Sequence, residues 1–105
     1  MEDPRTDVPN VRTNKEIQDM GKFAVEAYNL GLRQGPPRQE GGGGIPLVFV
    51  AVVKAQKQTV AGWMYYLKIE AMQGGVTRNF DAEVFDQSWN RSNPTQLVKF
   101  IPCPT

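Results

Sequence analysis

Asp81 and Glu83 stand two residues apart, and Cys103 is the single thiol; covalent or proton-transfer chemistry would have to start from these groups. Residues two apart on a strand share a face, and paired carboxylates can act as general acid and base. The remaining acids, among them Glu16, Asp19, Glu26, Glu70 and Asp86, are spread along polar faces, so Asp81 and Glu83 read as a solvated strand face rather than a catalytic pair. Cys103 sits between Pro102 and Pro104 in a tail expected to fray. The sequence has no histidine, which removes Ser-His and Cys-His nucleophile pairs and His-based metal sites. The glycine run Gly41–Gly44 lacks the Lys-Ser/Thr that completes a phosphate loop. The expectation is a protein that is not an enzyme, with no catalytic residue, no metal and no cofactor.

A different chemistry, recognition by a preformed surface, is written around Gln58-Thr59-Val60-Ala61-Gly62. Leu47–Val53 is almost wholly apolar and rich in β-branched residues, which reads as a strand. After Gly62, Trp63, Tyr65, Leu67, Ile69 and Ala71 point one way and Tyr66, Lys68 and Glu70 the other, the period of a half-buried strand. Two strands joined through about five residues that include Gly form a hairpin. Its tip carries Val60 and Ala61 where turn chemistry favours Asn-Gly or Asp-Gly. An apolar tip held out to water is poor for stability and suited to burial by a partner.

Around this hairpin the chain supplies few other elements. Thr13-Asn14-Lys15-Glu16 has the form of a capping box. Ile17, Met20, Ala24, Ala27 and Tyr28 then follow at spacings of three and four, with Phe23 widening the stripe. The spacing predicts a helix over Asn14–Leu32, with Gly31 as its left-handed cap. Gly35–Gly44 breaks regular structure and reads as a loop. Strands are expected at Ile45–Lys57, Trp63–Met72, Thr77–Gln87 and Leu97–Ile101, with a turn at Gln73–Gly75 and a connection at Ser88–Pro94. One helix followed by an antiparallel meander is an α+β two-layer domain. In a meander alternate connections share an end of the sheet, so the Gln58–Gly62 tip and the connection that carries Trp89 should emerge side by side. Aromatic anchors are enriched at interfaces.

The chain of 105 residues is expected to form one domain, 1–105, and is 40% hydrophobic and 22% charged, ordinary for a globular protein. Its net charge of +1 comes from scattered Lys and Arg, which leaves no footprint for nucleic acid and no basic amphipathic helix for a membrane. The longest apolar run, Ile45–Val53, is too short to span a bilayer. The N-terminal MEDPRTDVPN lacks a signal core, so either a cytoplasmic protein or a secreted one with its signal already removed is expected.

Gln58-Thr59-Val60-Ala61-Gly62 resembles the Gln-x-Val-x-Gly signature of the cystatins, inhibitors of papain-like cysteine proteases. Met20–Asn29 resembles the helix motif of plant cystatins, Leu-Ala-Arg-Phe-Ala-Val-x-x-x-Asn, with Phe23, Ala24, Val25 and Asn29 identical. Met64-Tyr65-Tyr66 is also similar to that branch, and the resemblance runs from about Asp7 to Ile101. It implies a cystatin-like fold, one N-terminal helix on a curved antiparallel sheet of four to five strands. It also implies a reversible, competitive wedge made of two hairpin loops and the N-terminal segment (residues 1–12), which plugs the protease cleft. In that wedge Gln58 would position the loop, Val60 would fill the cleft centre, Gly62 would allow a backbone conformation or close approach, and Trp89 would pack on the protease, with Thr59 and Ala61 among the protease-binding residues.

The sequence departs from the family at several places. Asp3 and Pro4 stand where plant cystatins carry trunk glycines, which puts that contact in question, and Ser88-Trp89 replaces Pro-Trp. The loop Gly35–Gly44 is longer than the family's, and Gly21 is expected to weaken the helix by up to about 1 kcal/mol relative to Ala. Asn90-Arg91-Ser92 is a glycosylation triplet beside Trp89, where a glycan would crowd the wedge; such triplets occur often by chance, and Asn90 is read as unmodified. A monomer is expected, with a domain-swapped dimer reachable if a strained Val60 straightens the hairpin. The competing reading is a non-inhibitory binding or storage protein on a cystatin-like scaffold.

Overall fold

The structure, a computed structural model, describes residues 4–34, 45–59, 62–87 and 95–103. A short strand β1 (Thr6–Asp7) leads through a 3-10 turn (Val11–Thr13) into helix α1 (Lys15–Gln34), and strands β2 (Leu47–Thr59), β3 (Trp63–Gln73), β4 (Val76–Asp86) and β5 (Thr95–Pro102) follow. The five strands form one antiparallel sheet in sequence order, β1-β2-β3-β4-β5. One helix packs on this sheet, the cystatin-like α+β arrangement. The predicted loop Gly35–Gly44 lies outside the described residues.

Of the predicted helical stripe, Ile17, Met20 and Ala24 are buried in one core with Val52 and Ala55 of β2, Leu67 and Ile69 of β3, and Phe80 and Val84 of β4, while Phe23, Ala27 and Tyr28 are half-buried; Val25, which the spacing did not include, is buried with them. The period-two faces of β3 and β4 separate as read: Tyr65, Leu67, Ile69 and Ala71 are buried, as are Phe80, Ala82 and Val84. At the C-terminal side Phe100 stacks on Tyr28 and Phe80, with centroids 4.7 and 5.2 Å apart. The predicted turn is Gly74-Gly75, both at positive φ (60° and 84°), the backbone a two-residue primed hairpin needs.

Several boundaries differ from the sequence reading, each for a local reason. The helix is capped by Asn14, not Thr13: Asn14 Oδ1 accepts from the Ile17 N–H at 3.2 Å. Thr13 is drawn into the preceding 3-10 turn, where its hydroxyl donates to the Asn10 carbonyl. Gly31 does not end the helix, which continues to Gln34. The added strand β1 is two polar residues with no periodicity to reveal them; it exists because Lys57 and Gln56 offer a pairing edge.

Gly21 corrects the expectation most. A Cβ there would lie 2.2 Å from Val52 Cγ2 and 2.9 Å from Phe49 Cε1, so the missing side chain is what lets α1 approach β2 so closely. β2 carries two register shifts on either side of Ala51–Val52, and such bulges bend a strand and raise its twist. Helix amides tie down its outer edge. Gln18 Oε1 accepts from the Val52 N–H (2.9 Å) while its Nε2 donates to the Val52 carbonyl (3.0 Å) and the Val11 carbonyl (2.8 Å). Asn29 makes the same two-way pair with Leu47 N–H and C=O, both at 2.8 Å.

Candidate functional site

One row of the sheet gathers the elements to which a wedge would belong. Thr59 of β2 pairs with Trp63 of β3, Trp63 with Asp86 of β4, and Asp86 with Thr95 of β5. Both the Thr59–Trp63 connection and the Asp86–Thr95 connection therefore leave from this one row, and the Gly74-Gly75 turn closes the opposite end. Strand β1 brings the N-terminal segment to the same end by pairing Thr6 with Lys57.

The described residues of the first hairpin are held from several sides. Gln58, half-buried, accepts a hydrogen bond from the Tyr66 hydroxyl at Oε1, 2.7 Å. Thr59 is exposed. Gly62 has φ 145°, and a Cβ on it would meet two Phe85 ring carbons at 3.0 Å and the Asp86 carbonyl at 3.1 Å. Both the positive φ and the close approach of β4 call for glycine. Pro4 lines a hollow of about 330 Å³ together with Thr6, Lys57, Gln58, Thr59 and Trp63, so this trunk residue lies against the hairpin base. Val60, Ala61, Trp89 and Asp3 lie outside the described residues, as does Asn90.

Sequence reasoning missed two cation–aromatic contacts at this end. Trp63 shares the face of Tyr65 but is 40% exposed, with Lys57 Nζ 5.1 Å from its ring centroid, a cation–π distance. Arg5 lies over the Tyr66 ring, its guanidinium carbon 3.5 Å from the centroid. Alternation could place Trp63 on a face but could not tell how far along the strand the helix covers it. Beneath the row, burial first and then the Glu16 and Asp86 carboxylates push the Tyr65 phenol up, so it stays neutral.

The groups first considered for chemistry are engaged elsewhere and separately. Glu83 Oε2 sits 3.9 Å from Lys99 Nζ. Burial, then a hydrogen bond with Asp81 and the charge of that carboxylate, push the Cys103 thiol up against the opposing pull of Lys68. A thiol held protonated is a weak nucleophile. Among the described residues no group of three or more acidic, Cys or His side chains could hold a metal, and no helix is long and apolar enough to cross a membrane.

Residues 9–103 match the family described as "Aspartic acid proteinase inhibitor". The chain is 44% identical to "Cysteine proteinase inhibitor 2" of Arabidopsis thaliana, the match covering 93% of this chain and 70% of that one. It is 32% identical to "Cysteine proteinase inhibitor A" of Helianthus annuus, over 86% of this chain and 96% of the other. "Cystatin-1" of Zea mays is 35% identical, over 91% and 62%. The chain belongs to the plant cystatin family. This is a family of proteinase inhibitors, not of enzymes. Gln58 and Thr59, expected in the tip, are instead the last residues of β2, so in sequence only 60–62 form the connection between β2 and β3, and Trp89 falls in that between β4 and β5. The family description names aspartic proteinases and the individual relatives cysteine proteinases.

Proposed function

We propose that this protein is a reversible, competitive inhibitor of papain-like cysteine proteases and acts by plugging the active-site cleft. The contact surface would comprise Gln58, Thr59, Val60, Ala61 and Gly62 of the first hairpin, Trp89 of the second connection, and Asp3 and Pro4 of the N-terminal segment. The observation that carries this reading is the shared row Thr59–Trp63–Asp86–Thr95, from which both connections depart, with Pro4 against the hairpin base. A tip anchored by two long strands loses little conformational entropy on docking, so its apolar burial converts to affinity with a smaller penalty. Gln58 held by Tyr66 and Gly62 fitted against Phe85 are the local form of that preorganisation.

The family description favours a second reading, inhibition of an aspartic protease by the same chain. Titrating papain and pepsin in parallel with the purified protein, each against a fluorogenic peptide, separates the two. Stoichiometric, reversible and competitive loss of papain activity, abolished by Val60→Asp in a variant with the native circular dichroism spectrum, is the expected result. Loss of pepsin activity alone would transfer the function to the other class. Loss of neither, with the protein folded, would leave a non-inhibitory binding or storage protein.

A further inference from the structure

We propose that Arg5 is a positioning residue, which clamps the N-terminal segment to the first hairpin through the ring of Tyr66; its consequence for protease binding rests on the function proposed above. The pairing Thr6–Lys57 and Asp7–Gln56 sets the register, and one further step places Arg5 opposite Gln58. Alternation puts Arg5 and Asp7 on one face of the sheet, the face that carries Gln56, Gln58 and Tyr66.

The contacts follow that register. The Arg5 guanidinium carbon lies 3.5 Å from the centroid of Tyr66, and the hydroxyl of the same ring donates to Gln58 Oε1 at 2.7 Å. One aromatic ring therefore holds the trunk on its face and the hairpin's Gln58 at its edge. Next along the segment, Gln56 Nε2 donates to Asp7 Oδ1 at 2.8 Å and the Val8 N–H donates to the Ala55 carbonyl at 3.0 Å.

Such a clamp is needed because β1 has only two residues and both are exposed. A strand pair that short has too little backbone pairing to hold itself. Side chains must supply the rest, and a planar guanidinium stacked on an aromatic face does so with little loss of freedom per contact. Trunk position and Gln58 orientation thus depend on one ring. Loosening Arg5 should free the trunk and, through the ring, loosen the hairpin.

The test compares Arg5→Ala, Tyr66→Leu, their combination and Tyr66→Phe, each checked for a native circular dichroism spectrum. The dissociation rate of the papain complex and the hydrogen-exchange rate of the Val8 amide are measured for each. The unaltered protein first shows whether papain is inhibited, so failure of that reading is seen separately. Arg5→Ala should speed papain dissociation by about three- to tenfold, the size of one exposed cation–π contact and part of a hydrogen bond. In the Tyr66→Leu background it should change the rate less than about twofold, because the stacking partner is gone. Tyr66→Phe should speed dissociation while leaving Val8 exchange as in the unaltered protein, and Arg5→Ala should speed both. Equal effects of Arg5→Ala in both backgrounds would overturn the proposal and make Arg5 a direct or purely electrostatic contact. Val8 exchange unchanged by Arg5→Ala would overturn it with or without papain inhibition.

Discussion

Replacing Gly21 by Ala and replacing Gly31 by Ala are the same chemical change in the same helix, and the structure gives them opposite signs. Helix propensity favours both by about 0.8–1 kcal/mol. At Gly31 nothing lies within 4 Å of the new Cβ, so the gain should appear in full. At Gly21 the Cβ would stand 2.2 Å from Val52 Cγ2 and 2.9 Å from Phe49 Cε1, where ordinary carbon contacts are about 3.5–4.0 Å. Val52 is 0% exposed and β-branched, with little rotamer freedom to retreat. The helix must therefore lift by about an ångström or more, and Gln18, one turn earlier on the same face, would be pulled from its 2.9 and 3.0 Å bonds to Val52. Overpacking of this kind costs about 1–3 kcal/mol, and two weakened hydrogen bonds add roughly another 1 kcal/mol. After the propensity gain the net destabilisation is about 1–3 kcal/mol. For a domain of this size that lowers Tm by roughly 5–15 °C, while Gly31→Ala should raise it by about 3–8 °C. Thermal melts followed by circular dichroism, with urea titrations at 25 °C, read both variants. A Gly21→Ala protein as stable as the unaltered one, or more so, would refute the account of the helix–sheet contact.

Three further outcomes follow from single sites. Gly62→Ala must place a side chain at φ 145° against Phe85, a strain of roughly 1–3 kcal/mol, so Tm should fall and papain inhibition should fall further than stability does; unchanged inhibition would count against a shaped loop. Asn29→Asp keeps the acceptor for the Leu47 N–H but turns a carboxylate on the Leu47 carbonyl, costing about 1–3 kcal/mol in urea unfolding at pH 7. That deficit should shrink near pH 4, where the protonated acid can donate; a deficit independent of pH would refute it. The Cys103 thiol, raised by burial and by Asp81, should react with an aromatic disulfide reagent more slowly at pH 8 than an unfolded peptide thiol does. Because its folded value lies above the unfolded one, its stabilising contribution is complete below about pH 8.5 and fades as pH climbs through the folded value; a thiol that titrates lower than the peptide's would reverse both signs.

What the sequence made legible is what local periodicity encodes. The stripe Ile17–Met20–Ala24 and the alternation Tyr65–Leu67–Ile69–Ala71 predict the helix, the strand and the faces they bury. The Gln58–Gly62 motif marks the hairpin because its residue types are wrong for an ordinary turn. Features decided by a distant partner were not legible. Thr6–Asp7 becomes a strand only because Lys57 and Gln56 lie alongside, and Gly21 looks like a helix defect until Val52 is seen beneath it. Arg5 and Tyr66 are far apart in the chain, and no spacing rule joins them. Their contact depends on a register set by β1 against β2.

The outer edge of β2 shows why inhibitory strength and stability should separate in this protein. An exposed edge offers unpaired N–H and C=O groups to any passing strand. Here the edge is divided. Away from the hairpin, the groups of Leu47 and Val52 are taken by Asn29 and Gln18 of the helix, side chains fixed by the core packing on the same element. Near the hairpin, the edge at Ala55, Gln56 and Lys57 is paired by the N-terminal segment. The helix amides work on half-buried backbone, where a lost partner is expensive. The trunk pairs through a two-residue strand that is itself exposed, where loss of pairing is offset by water. Substitutions at Gln18 and Asn29 should therefore lower the stability of the domain, while substitutions at Pro4 and Arg5 should leave Tm nearly unchanged and alter only how the proposed wedge is presented. The departure at Asp3-Pro4 from the family's trunk glycines is tolerable on this account because the segment's position is set by its side-chain clamp to β2 and β3 rather than by its own flexibility.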